Sequence, residues 1–168
     1  MGRRVAIIMG SKSDWPSMTG CLEQLEAFGI DVDVQVLSAH RTPAQLAAYV
    51  SGAASEGIGV IIAAAGMSAA LPGAVAAHTV LPVIGVPMAS GALQGVDALL
   101  AISQMPPGVP VATVAIGPPG AKNAAILAAQ VLALSDGKLA QKLKDYKRSM
   151  ADKADNNNRA LRGQLEGR

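Results

Sequence analysis

The segment Ser38-Ala39-His40-Arg41-Thr42-Pro43 places one of only two histidines beside an arginine, just after an extended run of alternating apolar residues. The Ser38 hydroxyl can donate a hydrogen bond to an anion, and the rigid donor fork of Arg41 can hold a phosphate or carboxylate. His40, between them, is the side chain suited to moving a proton near neutral pH. Together they imply acid/base chemistry on a phosphorylated small molecule. A second polar stretch, Gly10-Ser11-Lys12-Ser13-Asp14, adds hydroxyls and a carboxylate that can accept from two adjacent ribose hydroxyls. A third, Ala65-Gly66-Met67-Ser68-Ala69-Ala70-Leu71-Pro72-Gly73, is rich in small residues that leave main-chain N–H groups open to a ligand. Each piece also has a plainer use. Ser11, Ser13 and Asp14 could cap a helix, Arg41 could be a surface residue, His40 could be structural, and Gly66 and Gly73 could serve turns. The second histidine, His78, reads as a helix-end or interface residue.

The elements that must position these groups follow from apolar periodicity. Residues 4–9 form a short apolar run closed by Gly10, the pattern of a buried strand. Asp14 or Ser13 offers an N-cap to a helix with Pro16 in its first turn and Leu22, Leu25 and Phe28 on its stripe, ending at Gly29. The second strand spans 30–37, with Val32, Val34 and Val36 alternating against polar neighbours. A helix follows from Pro43 to about Ser55. Strand three is 60–64, a short helix runs to His78, strand four is 82–86, a helix covers 95–104 and strand five is 111–116. An Ala-rich helix over 121–134 precedes a last helix over 138–155, with Leu139, Leu143, Tyr146 and Met150 on one stripe. Five apolar strands alternating with helices predict an α/β fold: a three-layer, doubly wound sandwich on a five-stranded parallel sheet, flavodoxin-like or Rossmann-like, with a C-terminal helical extension. Residues 1–155 form the single domain, and 156–168 are a tail, weakly ordered in isolation or docked on a neighbouring subunit. In such sheets ligands bind beyond the carboxyl ends of the strands, where the three polar loops fall.

Composition narrows the function. The chain has 168 residues, 51% hydrophobic but only 2% aromatic, with net charge +2. A core of Ala, Val, Ile and Leu suits helices packed on a parallel sheet. The basic residues cluster after Gly137 with a single aromatic, Tyr146, among them and no interleaved set of stacking platforms, which argues against nucleic acid. Cys21, the single cysteine, sits in a helical pattern as an inert buried thiol and cannot form an internal disulfide. With one Cys and two His, structural zinc sites are out of reach. No uninterrupted apolar run of ~20 residues predicts a membrane span, and no signal sequence is evident, so a soluble cytoplasmic protein is expected. Gly-x-Gly-x-x-Gly, the phosphate loop Gly-x-x-x-x-Gly-Lys-Ser/Thr and Gly-x-Ser-x-Gly are all missing, which removes support for a dinucleotide, a triphosphate or a serine hydrolase.

The chain resembles the catalytic subunit family of 5-(carboxyamino)imidazole ribonucleotide mutase. The resemblance rests on Met9-Gly10-Ser11-Lys12-Ser13-Asp14-Trp15, Ser38-Ala39-His40-Arg41-Thr42-Pro43 and Leu81-Pro82-Val83-Ile84-Gly85-Val86-Pro87. It extends through Gly95-Val96-Asp97-Ala98-Leu99-Leu100, Gln104-Met105-Pro106, Gly108-Val109-Pro110-Val111 and Asn123-Ala124-Ala125, in the family's order over about residues 4–134. It implies that the carbamate on the substrate's exocyclic nitrogen is lost as trapped carbon dioxide, which the ring carbon then attacks. His40 matches the proton-transfer residue. Ser11 and Arg41 match substrate-binding positions around the phosphate, Asp14 one near the ribose, and Ser38 joins the phosphate grip. Ser13, Gly66, Ser68 and Leu71 complete the expected binding set. The resemblance implies no metal and no organic cofactor, a small-molecule ribonucleotide as ligand, and a homo-octamer in which neighbours complete each site and the C-terminal helix reaches across subunits.

One loop departs from the pattern. Bacterial mutases usually read Ala-Gly-Gly-Ala-Ala-His-Leu-Pro-Gly after strand three, whereas Ala70 stands here at the histidine position. Related carboxylases, which use aminoimidazole ribonucleotide and free carbon dioxide, carry a Gly-Arg-Ser-Asn-Ala-Leu-Ser-Gly-like loop. Ser68, Ala70 and Leu71 echo that version, while Pro72 and the other motifs favour the mutase. A carboxylase is therefore the alternative, and a catalytically silent ribonucleotide-binding scaffold is a third reading from another class.

Overall fold

A computed structural model describes residues 4–166. The elements are β1 (Arg4–Met9), a 3-10 turn (Lys12–Asp14), α1 (Trp15–Ala27), β2 (Val32–Val36), α2 (Pro43–Gly52), β3 (Ile58–Gly66) and α3 (Ala70–Ala76). They continue with β4 (Val83–Met88), α4 (Val96–Ser103), β5 (Ala112–Thr113), α5 (Pro118–Ala133) and α6 (Gly137–Glu166). The strands form one parallel sheet in the order β2-β1-β3-β4-β5. This is the flavodoxin-like doubly wound order, whose switch point lies between β1 and β3.

The two-residue period of the strands sorts the core into two layers. Val5, Ile7 and Met9 of β1, with Val60, Ile62 and Ala64 of β3, pack against α1, α5 and the start of α6. Ala6 and Ile8, with Ile61 and Ala63, face α2, α3 and α4. Central strands covered on both faces read as unbroken apolar runs, and β1 and β3 do so. On the first face Ala121, Ala124, Ala125, Ala128 and Ala129 of α5 are fully buried. On the other, a Cβ on Gly85 would strike Ile102 and Val111, so this glycine lets α4 lie close on β4.

Three elements differ from the sequence pattern, each for a local reason. β2 is an edge strand, so Val34 and Val36 are 36% and 52% exposed, while Asp33 on its other side accepts the Tyr49 hydroxyl at 2.7 Å. β5 is confined to Ala112 and Thr113, although 111–116 was expected. The carbonyls of Gly85 and Pro87 accept from Val114 and Gly117, so those residues aim their main chain at β5. Pro87 has no N–H to give in return, and the ladder stops there. The third difference is α6, which runs through Asn156, Asn157 and Asn158 to Glu166 with no break at Asp155. Asparagine inside a helix costs only about 0.7 kcal/mol or less relative to alanine, and Ala151, Ala154 and Ala160 flank the triplet.

α6 is fastened at its start. The Asp136 carboxylate accepts the N–H groups of Lys138 and Leu139 at 2.9 and 3.0 Å, an N-cap. Lys142 Nζ donates to the Phe28 carbonyl at 2.6 Å, and Tyr146 meets the Phe28 ring edge-on at 5.5 Å. Beyond Tyr146 every described residue of the helix is exposed.

Cys21 lies in the α1–sheet interface with no exposed surface, and burial pushes its thiol up to about 12. Native protein at pH 8 should therefore react with a disulfide reagent at least about a hundredfold more slowly than free cysteine, and one thiol should appear on unfolding. Fast native labelling would contradict this packing. Gly85→Ala should lower stability by roughly 1–3 kcal/mol through overpacking against Ile102, read as a lower denaturation midpoint with an unchanged m value.

Candidate functional site

The register of the parallel strands sets the site. Met9 pairs with Val36 on one side and with Ala64 on the other, and Gly66 pairs with Met88. The chain therefore leaves β1, β2, β3 and β4 at nearly one level. The loops that follow surround a cleft of about 490 Å³. His40, Ser11, Ser13, Asp14, Ser38, Arg41, Gly66, Ser68 and Leu71 all line it. His78 does not; it is exposed past the end of α3.

Hydrogen bonds within the first loop orient its donors. The main-chain N–H and the hydroxyl of Ser13 both donate to Ser11 Oγ, at 3.2 and 2.8 Å. With both lone pairs engaged, the Ser11 proton is left to point outward. Asp14 makes no side-chain capping bond to α1; the capping group is Ser11, which serves the 3-10 turn. Asp14 thus stands at the N-cap position of α1, as expected, but without a capping bond, and its carboxylate stays open to the cleft. Burial raises its pKa above the ordinary value, and a main-chain hydrogen bond from Ser11 partly offsets that.

The second loop repeats the device. Ser38 Oγ accepts from the Arg41 N–H at 3.1 Å and from Arg41 Nε at 3.4 Å, which again leaves its proton to donate. Arg41 Nη2 donates to the Gly10 carbonyl at 2.8 Å, tying the loop after β2 to the end of β1. Two of the five guanidinium donors are used, and the rest remain for an anion. Thr42 closes the turn: its hydroxyl accepts from the Ser38 N–H at 2.9 Å and donates back to the Ser38 carbonyl at 3.2 Å. His40 sits exposed at the tip of this braced turn, on the cleft wall.

The third loop carries backbone strain. Met67 and Ala69 lie in the left-handed region at φ 55° and 35°. Such non-glycine positions cost on the order of 1–3 kcal/mol each and gather at functional sites. They bend the chain so that Ser68 is exposed at the rim while Leu71 is buried beneath it. Ala70, at the first position of α3, also faces the cleft. Sequence reasoning missed Ser90, which lines the far wall. The signal was its place just after strand four, a fourth carboxyl end beside the three loops considered. A larger groove of about 840 Å³ lies at the opposite end of the sheet, between Phe28, Asp31 and the start of α6. Of its polar lining, Asp136 caps α6 and Lys142 holds the Phe28 carbonyl, so these groups fasten the helix. Among the described residues no three His, Cys, Asp or Glu groups gather as a metal site, and no helix is long and apolar enough to cross a membrane.

Comparison with known proteins accords with this geometry. The AIR carboxylase family matches residues 4–153. The N5-carboxyaminoimidazole ribonucleotide mutase of Brucella melitensis is 55% identical over 88% of this chain and 91% of its own. The protein of that name from Escherichia coli K12 is 52% identical over 89% and 88%. The crystal structure of Treponema denticola PurE superposes with a TM-score of 0.84 at 31% identity, covering 95% of this chain and 98% of that one. The chain belongs to the AIR carboxylase family.

Proposed function

We propose that this protein is a purine-biosynthesis mutase that converts 5-(carboxyamino)imidazole ribonucleotide to 4-carboxy-5-aminoimidazole ribonucleotide. The observation that carries the reading is the pair of outward-donating hydroxyls, Ser11 and Ser38, set on either side of the anchored Arg41 with His40 next along the loop. Two hydroxyl donors and a guanidinium suit a phosphate, and the Asp14 carboxylate suits the ribose hydroxyls. Ser13 braces Ser11, while Gly66, Ser68 and Leu71 form the wall over which the heterocycle lies.

In the reaction, the carbamate N–C bond breaks and its electron pair returns to the exocyclic nitrogen, leaving carbon dioxide beside the ring. The ring carbon then supplies the pair for the new C–C bond. The proton of that carbon leaves to His40, and one proton is restored to the exocyclic nitrogen. The atoms balance with no external carboxyl donor. Relatives more than half identical to this chain bear the mutase name, which favours it over the carboxylase suggested by Ala70 and over a silent scaffold.

The proposal includes a cytoplasmic homo-octamer in which neighbours complete the sites. Exposed apolar residues support assembly: Val36 at the end of the β2 edge, Leu93, Val96 and Leu100 around α4, and Met150, Leu161 and Leu165 along the unpartnered half of α6. That half of α6, with the tail beyond Asp155, would dock on a neighbouring subunit.

Purified enzyme should turn over the carbamate substrate without added bicarbonate, and His40→Asn should abolish turnover while substrate binding persists. Turnover of aminoimidazole ribonucleotide only when bicarbonate is supplied would establish the carboxylase instead. Arg41→Ala should weaken substrate binding by roughly 1.5–3 kcal/mol, the cost of losing a charged hydrogen-bonded contact. A titration showing unchanged affinity would remove Arg41 from the phosphate site.

A further inference from the structure

Ser90 follows β4 and is half-buried on the cleft wall. A Cβ built on Gly66 would fall on the Ser90 hydroxyl, with Ser90 Cβ at 3.2 Å and Met88 Cβ at 3.4 Å from the same point. β3 thus ends in a residue without a side chain at the place where the Ser90 side chain crosses it. Behind Ser90 a tight turn is closed by Gln94 Nε2 donating to the Gly91 carbonyl at 3.0 Å. Across it, Met67 of the strained loop lies within van der Waals reach of a Cβ position on Gly91.

The hydroxyl so placed makes no side-chain hydrogen bond among the described residues. Ser90 lines the cleft, so its hydroxyl is within reach of a ligand there. The anion grip lies over the end of β1, where Arg41 meets Gly10. Two strand spacings, about 10 Å, separate β1 from β4. A ribonucleotide held by its phosphate over β1 therefore lays its ring over the ends of β3 and β4, where Gly66 and Ser90 meet.

We propose that Ser90 is a further substrate-contacting residue whose hydroxyl donates a hydrogen bond to the migrating carboxyl unit, holding the released carbon dioxide beside the ring carbon. Ser90 keeps its proton throughout, and no bond to it forms or breaks. The proposal rests on the mutase reading and adds to it a group that retains the one-carbon fragment.

The test compares wild type with Ser90→Ala in medium containing 13C-bicarbonate, following kcat, KM and label in the product carboxyl. KM should stay within about twofold, because the phosphate grip is untouched. The value of kcat should fall about tenfold, the worth of one hydrogen bond made in the reacting state. Label should enter the product several-fold more often per turnover, since carbon dioxide escapes and exchanges. Ser90→Cys, which keeps the side chain's shape but weakens its donor, should give the same split, and it stands as the second variant if Ser90→Ala fails to fold. Wild-type kcat with wild-type labelling, a change confined to KM, or a lower kcat without added label would each overturn the proposal. If wild type itself requires bicarbonate, the mutase reading fails, and Ser90 is then judged by the KM for bicarbonate. The proposal expects that KM to rise about tenfold in Ser90→Ala; an unchanged value overturns it.

Discussion

β1 is paired along both edges and buried on both faces, and the rest of the molecule takes its position from it. Its five residues from Val5 to Met9 have 2% exposure or less. Burial of one isoleucine such as Ile7 or Ile8 contributes about 1.5–3 kcal/mol. Because side chains alternate, any one-residue slip against β2 or β3 would exchange the α1–α5 face for the α2–α4 face and misplace all of that burial. Register is therefore held by the core, and what the core holds is also what the site needs. With Met9 opposite both Val36 and Ala64, Gly10 comes within reach of Arg41 from one side while Gly66 arrives from the other.

A core with so few aromatic rings gains stability from closeness rather than from large side chains. Dispersion is strong only near contact distance, and small residues permit that contact between main chains. The buried alanines of α5 bring it down on the sheet beside α1. Gly120 goes further, since a Cβ there would collide with the Ala115 carbonyl. The same economy of volume continues into the site. Gly66 admits Ser90, and Ala65, Ala69 and Ala70 keep the segment around it slim. Small residues thus both tighten the core and leave room in the cleft wall.

Much of this was legible in the sequence, and the exceptions share a cause. The strand at 4–9, the α/β alternation and the sheet class follow from apolar period alone, and all nine candidate residues converge because strand ends of one sheet converge. The extent of β5 was not legible, because it depends on which edge of β4 Pro87 turns toward, a matter of pleat phase that only the pairing decides. α6 read as shorter because Asn156, Asn157 and Asn158 look like a terminator, whereas helix propensity is a weak preference that neighbouring alanines outweigh. Val32, Val34 and Val36 alternate as a buried strand does, yet an isolated chain cannot show that β2 falls at the edge. Ser90 was passed over because its significance comes from Gly66, which is close in space and distant in sequence.

In the proposed function the loop after β2 unites two tasks that are usually in tension. An anion grip must be rigid, since mobility in Arg41 would dissipate the specificity of its fork, while a proton carrier must stay accessible. Here the bracing bonds all fall on Ser38, Arg41 and Thr42, and His40 between them is left exposed. The main chain of His40 is thereby held by its neighbours while its imidazole remains free to meet the ring. In the proposed reaction, fixing the phosphate also fixes the distance from His40 to the carbon that loses its proton, because both groups hang on one short turn. Positioning of that kind can supply several kcal/mol of a barrier without any change in the reacting groups. In the proposed function the bond from Arg41 to the Gly10 carbonyl thus serves the chemistry as well as the binding: it ties the turn that carries His40 to the buried strand β1.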